Sequence, residues 1–148
     1  MYTAIVRRIV RGGFRALSMG NYEQVLRQFH SQVVLSFAGS SLIGGEHHGI
    51  EAARVWFAQL FSLFPGLQFT VHTVIIQGWP WNTHVATRFS LIAPHPDGHP
   101  YENEGMQFLR LRWGKVMEDR LYEDTQKLAY ELRRRGYAAS ATGSDYLP

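Results

Sequence analysis

The sequence predicts an α+β fold in which a strongly bent antiparallel sheet carries helices on its concave side and closes around a pocket. Two observations carry this expectation. The elements read, in order, as two helices, a strand, a helix, four strands and a helix, without the β-α alternation that builds a doubly wound parallel sheet. The stretch Gly105 to Asp124, GMQFLRLRWGKVMEDRLYED, reads as two long strands joined at Trp113-Gly114-Lys115 and ending on an acid pair that opens the last helix. A hairpin of that length can serve as the spine of a curved sheet. The chain has 148 residues, 45% apolar and 18% charged, as expected for one globular domain. We place that domain at residues 1–136 and expect a flexible tail at 137–148, because YAASATGSDYLP is small and polar.

Each element has its own signal. Residues 2–18 carry Ile5, Ile9, Val10, Phe14 and Leu17 at helical spacing, with arginines on the other faces. The Gly12-Gly13 pair in that helix costs about 1 kcal/mol per glycine relative to alanine, which suits close packing or the approach of a ligand. Gly20-Asn21 is a turn, and Tyr22, Val25, Leu26 and Phe29 mark a second helix over 22–30, with His30 at its end as a cap. Val33 to Phe37 is a short strand, followed by the Gly/Ser-rich loop AGSSLIGGEHHG. Ile50, Ala53, Trp56, Phe57, Leu60, Phe61 and Phe64 form the stripe of a helix over 49–64 that Pro65-Gly66 stops. Phe69, Val71, Thr73 and Ile75 alternate with polar neighbours along a strand at 67–77, and 83–93 is the next. The hairpin strands run over 102–112 and 115–122. Asp124 is an N-cap for a helix over 125–135, with Gly136 just past its end.

Composition excludes several functions. Without cysteine there is no disulfide, thiolate metal site or cysteine nucleophile. No apolar run reaches the length of a membrane-spanning helix, and MYTAIVRRIVRGGF lacks the apolar block and cleavage site of a secretory signal. We therefore expect a cytoplasmic protein without a membrane partner. The net charge of +3 raises nucleic acid as a partner, but the arginines are scattered along helix faces and at a helix C-terminus, so nucleic acid is not expected. His47 and His48 are adjacent, and His95 and His99 sit in a Pro/Gly loop. Neither pair has metal-ligand spacing on a helix, so no metal is expected.

Ile9 to Asn21, His48-Gly49-Ile50-Glu51-Ala52, and Gly114-Lys115-Val116 leading into Tyr122-Glu123-Asp124 resemble the NTF2-like superfamily with its cystatin-like cone, and within it the SnoaL-like branch that includes polyketide cyclases. The resemblance covers about residues 3–136. It implies a pocket for a small apolar or aromatic ligand, no cofactor, and a homodimer through the outer sheet face. It also exposes departures. The tyrosine that ketosteroid isomerases of this superfamily place on the first helix falls on Gly13, and their base falls in the acid-free loop Ala38 to Ser41. The aspartate that cyclases and limonene-type epoxide hydrolases place three residues before the last helix's acid is Leu121 here, and a SnoaL-like histidine is Gln107.

The candidate site follows from strand alternation and from these matches. If Gln107 faces inward, Asn103, Gly105 and Leu109 share its face, and if Leu121 does, so do Asp119 and Glu123. Asp119 and Glu123 are the candidate catalytic carboxylates; Glu123 alternatively reinforces the last helix's N-terminus. Arg88 matches a carboxylate-holding arginine of the epoxide hydrolases, or else forms an ion pair on the outer sheet face. Arg88, Asn103, Gln107, Trp56, Phe14 and Leu121 are the candidate ligand-binding residues. Two functions compete: acid/base isomerisation, cyclisation or hydration of an apolar substrate, or a non-catalytic ligand-binding or assembly domain, which predicts a pocket with no carboxylate at its bottom.

Overall fold

The computed structural model describes residues 1–138, so most of the expected tail lies outside the described residues. The elements are α1 (Tyr2–Ser18), α2 (Tyr22–Leu26), β1 (Phe29–Phe37), β2 (Gly45–His48), α3 (Ile50–Leu63), β3 (Gln68–Trp79), β4 (Asn82–Ala93), β5 (Tyr101–Arg112), β6 (Lys115–Glu123) and α4 (Thr125–Arg134). The strands form one sheet in the order β2-β1-β6-β5-β4-β3. Its pairs are antiparallel except β1 with β6, which run parallel. The β5–β6 hairpin thus stands at the centre of the sheet, as its length predicts.

Strict alternation divides the central strands. Val85, Thr87, Phe89 and Leu91 of β4, and Tyr101, Asn103, Gln107, Leu109 and Leu111 of β5, are buried, and the residues between them face outward. The inward set packs against α1, α3 and α4 in one core. The convex face carries Ile75, Met106, Phe108 and Tyr122, each at least 40% exposed. No described helix is long and apolar enough to cross a membrane.

Four local expectations are corrected. The stripe of α1 runs through Val6, not Ile5, which is 52% exposed. The second helix ends at Leu26, because Phe29 already pairs with Val116 in the sheet; His30 is therefore a strand residue whose Nδ1 accepts from the Gln32 amide at 3.1 Å. The loop after β1 contains a short strand, β2, which carries His47 and His48. Along β3 the register shifts between Val71 and Thr73, so Val74 is buried and Ile75 is turned outward. A bulge reverses alternation beyond it.

Candidate active site

The concave face of the sheet, the four helices and the loop residues Ile43 and Leu67 enclose a cavity of about 280 Å³. Its walls are mostly apolar. Phe14 of α1 meets Phe69 and Phe89 at ring-centroid distances of 5.7 and 5.4 Å, closing one side. Trp56 of α3 lines another and is fixed by its indole N–H, which donates to the Ile43 carbonyl at 2.8 Å. Leu109, Leu121 and Leu128 complete the surroundings of a few polar groups.

Those polar groups come from β5 and β6. Asp119, Leu121 and Glu123 alternate onto the concave face, and all three line the cavity, as does Gln107 across the hairpin. Asp119 is 2% exposed. Gln107 Nε2 donates to its Oδ1 at 3.1 Å, and no cation accompanies the pair among the described residues. Burial in apolar surroundings disfavours the charged carboxylate and pushes the Asp119 pKa up to about 7, against a smaller lowering by the Gln107 amide. Glu123 is pushed up to about 8 by burial, with no charge partner to offset it.

Glu123 owes its position to Gly105, directly across the hairpin. A Cβ on Gly105 would strike the Tyr122 carbonyl oxygen, lie 2.8 Å from Glu123 Cγ and 3.0 Å from the Phe89 ring. The missing side chain is the space through which the Glu123 stem enters the cavity.

Tyr101, a residue not among the sequence candidates, also lines this end. Its hydroxyl oxygen accepts from Asn103 Nδ2 at 2.7 Å, which leaves its own proton available to a ligand oxygen. Burial first, then the nearby Glu123 charge, raise the phenol pKa above its ordinary value, so the group stays protonated. The signal was in the sequence: Tyr101 is the next position of the period-2 set Asn103, Gly105, Gln107.

Two candidates stand elsewhere. Arg88 is exposed on the convex face, opposite Met106, and does not reach the cavity. Asn103 is buried but outside the cavity wall: its amide donates to Tyr101 and to the Asp124 carbonyl at 3.0 Å, and its Oδ1 accepts from the Glu104 amide. It positions Tyr101 instead of meeting a ligand. Phe14, Trp56, Gln107, Leu121, Asp119 and Glu123 are all brought together at the cavity. Asp124 caps α4 through the amides of Gln126 and Lys127.

Comparison with known proteins places this geometry. A family profile described as SnoaL-like domain matches residues 10–119, well over half of the chain. The chain belongs to the SnoaL-like family. Solved structures agree on the NTF2-like fold of this SnoaL-like protein. TerC, co-crystallised with polyporic acid, has a TM-score of 0.73 at 16% identity over 84% of this chain and 95% of its own. IdmH from Streptomyces antibioticus, a candidate polyketide cyclase, has a TM-score of 0.68 at 20% identity, covering 84% and 96%. A protein with a ketosteroid isomerase-like fold from Catenulispora acidiphila, in complex with trimethylamine, has a TM-score of 0.69 at 18% identity, covering 95% and 97%. Among curated proteins no sequence matches. At these identities the likeness is one of fold.

Proposed function

We propose that this SnoaL-like protein catalyses proton-transfer chemistry on a small apolar or aromatic molecule: an isomerisation, cyclisation or hydration carried by Asp119 and Glu123. The observation that carries the reading is a pair of carboxylates facing an apolar cavity without a cation to neutralise them. Asp119, with its pKa near 7, is the general base, oriented by the Gln107 amide. Glu123, pushed up to about 8 by burial, holds its proton near neutral pH and serves as the acid or as a donor to a developing oxyanion. Tyr101 supplies a second donor at the same end. Leu121, where relatives place an acid, lies between the two carboxylates on the strand, so the proton-moving role passes to its neighbours on the same face. Carboxylates in the cavity also weigh against the non-catalytic alternative, which expects none there.

Kemp elimination of 5-nitrobenzisoxazole, which reports any desolvated carboxylate base, tests this directly. The expected rate rises through pH 7 and falls by about a hundredfold or more in Asp119→Asn. A rate unchanged in an Asp119→Asn/Glu123→Gln double variant would sink the proposal.

A further inference from the structure

The cavity has a mouth, and its position follows from exposure. Of the side chains lining the cavity, Arg8, Gln24 and Gln28 are exposed and the others are buried or half-buried. The opening therefore lies between α1 and α2. Gly12 stands one helical turn beyond Arg8, and a Cβ there would meet nothing within 4 Å. A Cβ on Gly13 would have only a Val25 methyl at 4.0 Å. At the mouth, α1 presents nearly bare backbone. The helical cost of two adjacent glycines, about 1 kcal/mol each, is offset here by an entrance that any larger residue would narrow.

Arg8 is the charge at that entrance. Residues 1–22 contain no Asp or Glu, and the Glu23 carboxylate on neighbouring α2 is engaged by Arg54 at 2.8 Å. Among the described residues no carboxylate pairs with Arg8. The cavity's own acids lie deeper. The Val116 amide donates to the Gln28 carbonyl at 2.8 Å, which sets the start of β6 beneath the mouth. From there Asp119 lies about 10 Å and Glu123 about 23 Å further along the strand. The site is thus polarised, with a cation at the entrance and carboxylates in the interior. A ligand's negative group is attracted at the mouth, and among the described residues that line the cavity it meets no other cation deeper in.

We propose that Arg8 is a specificity residue of this site: it selects an elongated apolar or aromatic ligand bearing one anionic oxygen group, and holds that group at the mouth. The neutral body then lies inward along β6, passing Asp119 with its far end directed toward Glu123, while Gln24 and Gln28 flank the anion. This rests on the cavity being the small-molecule site proposed above.

Two fluorescent probes separate the two ideas. 8-Anilinonaphthalene-1-sulfonate and N-phenyl-1-naphthylamine share one ring system and differ by the sulfonate. Titrated into the full chain and competed against each other, the sulfonate is expected to bind about three- to tenfold tighter than the neutral probe. The gap should shrink as salt is added. Arg8→Gln should abolish the gap by weakening the sulfonate, and Arg8→Lys should retain part of it. Gly12→Leu, a substitution a helix favours, should weaken both probes. Equal affinities in the unsubstituted protein, or an Arg8→Gln variant that keeps the gap, would overturn anion selection and leave the cavity reading intact. A Gly12→Leu variant that binds both probes normally would overturn the placement of the mouth. Failure of both probes with the unsubstituted protein would remove the cavity reading, and this inference with it.

Discussion

Glu131 and Asp119 are equally buried, at 2% exposure each, and their surroundings differ completely. Glu131 of α4 is gripped by two guanidinium groups: Arg134 Nε donates to one oxygen at 2.8 Å and Arg135 Nε to the other at 2.6 Å. Arg135 in turn donates to the Pro94 carbonyl at 2.7 Å and lies over the Phe64 ring, 5.1 Å from its centroid. This network fastens α4, the helix that contributes Leu128 to the cavity, to the end of β4. Asp119 receives a single neutral amide. A buried carboxylate surrounded by cations holds the structure together. One left without them gains stability by taking a proton, which is the property a general base needs. The contrast separates a carboxylate held by two cations from one that burial leaves free to take a proton.

Removing Glu131 is the harshest test of the contrast. Glu131→Gln leaves two buried or half-buried arginines without their anion and should cost about 3–5 kcal/mol in urea unfolding at neutral pH. A loss under 1 kcal/mol would show that the pair is no more than a surface bridge.

Asp119→Asn should act in the opposite sense. The folded-state pKa of Asp119 lies above its ordinary value, so the folded protein holds the proton more tightly than the unfolded chain. The stability this provides is complete below about pH 4 and is lost as the pH rises through about 7. The asparagine variant lacks this dependence. At pH 8 it should be more stable than the unsubstituted protein, by on the order of 4 kcal/mol. Parallel stability curves from pH 4 to 8 would contradict the unpaired state of Asp119.

Gln107→Leu probes the one partner Asp119 has. Losing the amide donor removes a hydrogen bond to the charged form, worth about 1 kcal/mol. The Asp119 midpoint in a carboxyl-carbon NMR titration should therefore move upward. A downward move would mean that Gln107 favours the neutral acid.

How much of this was legible in the sequence depended on strand regularity. Period-2 reasoning placed Gln107, Asp119, Leu121 and Glu123 on one face because β5 and β6 pair without interruption from Gly105 to Arg110. It failed on Ile75 because a bulge in β3 leaves no mark in residue type. Arg88 is a different case. Val85, Thr87, Phe89 and Leu91 already alternate against it, so the strand's own pattern pointed it outward, and the resemblance to relatives led the other way. Phe29 continued a helical spacing by coincidence, and its pairing with Val116 overrode local propensity. The inferred mouth was beyond reach from sequence, because Arg8 and Gln28 line one cavity only through the packing of α1, α2 and the start of β6.

One further consequence concerns light. Of the four tryptophans, Trp56 alone lines the cavity, 2% exposed. Trp79, Trp81 and Trp113 gather at the turns between β3 and β4 and between β5 and β6, all more than half exposed. Trp79 and Trp81 are stacked at 5.9 Å, and Trp81 lies 6.2 Å from Trp113. The protein's emission therefore divides into a blue population from one indole beside the cavity and a red population from a cluster in water. A molecule entering the cavity perturbs the first and leaves the second as an internal reference, so the chain carries its own ratiometric indicator of occupancy.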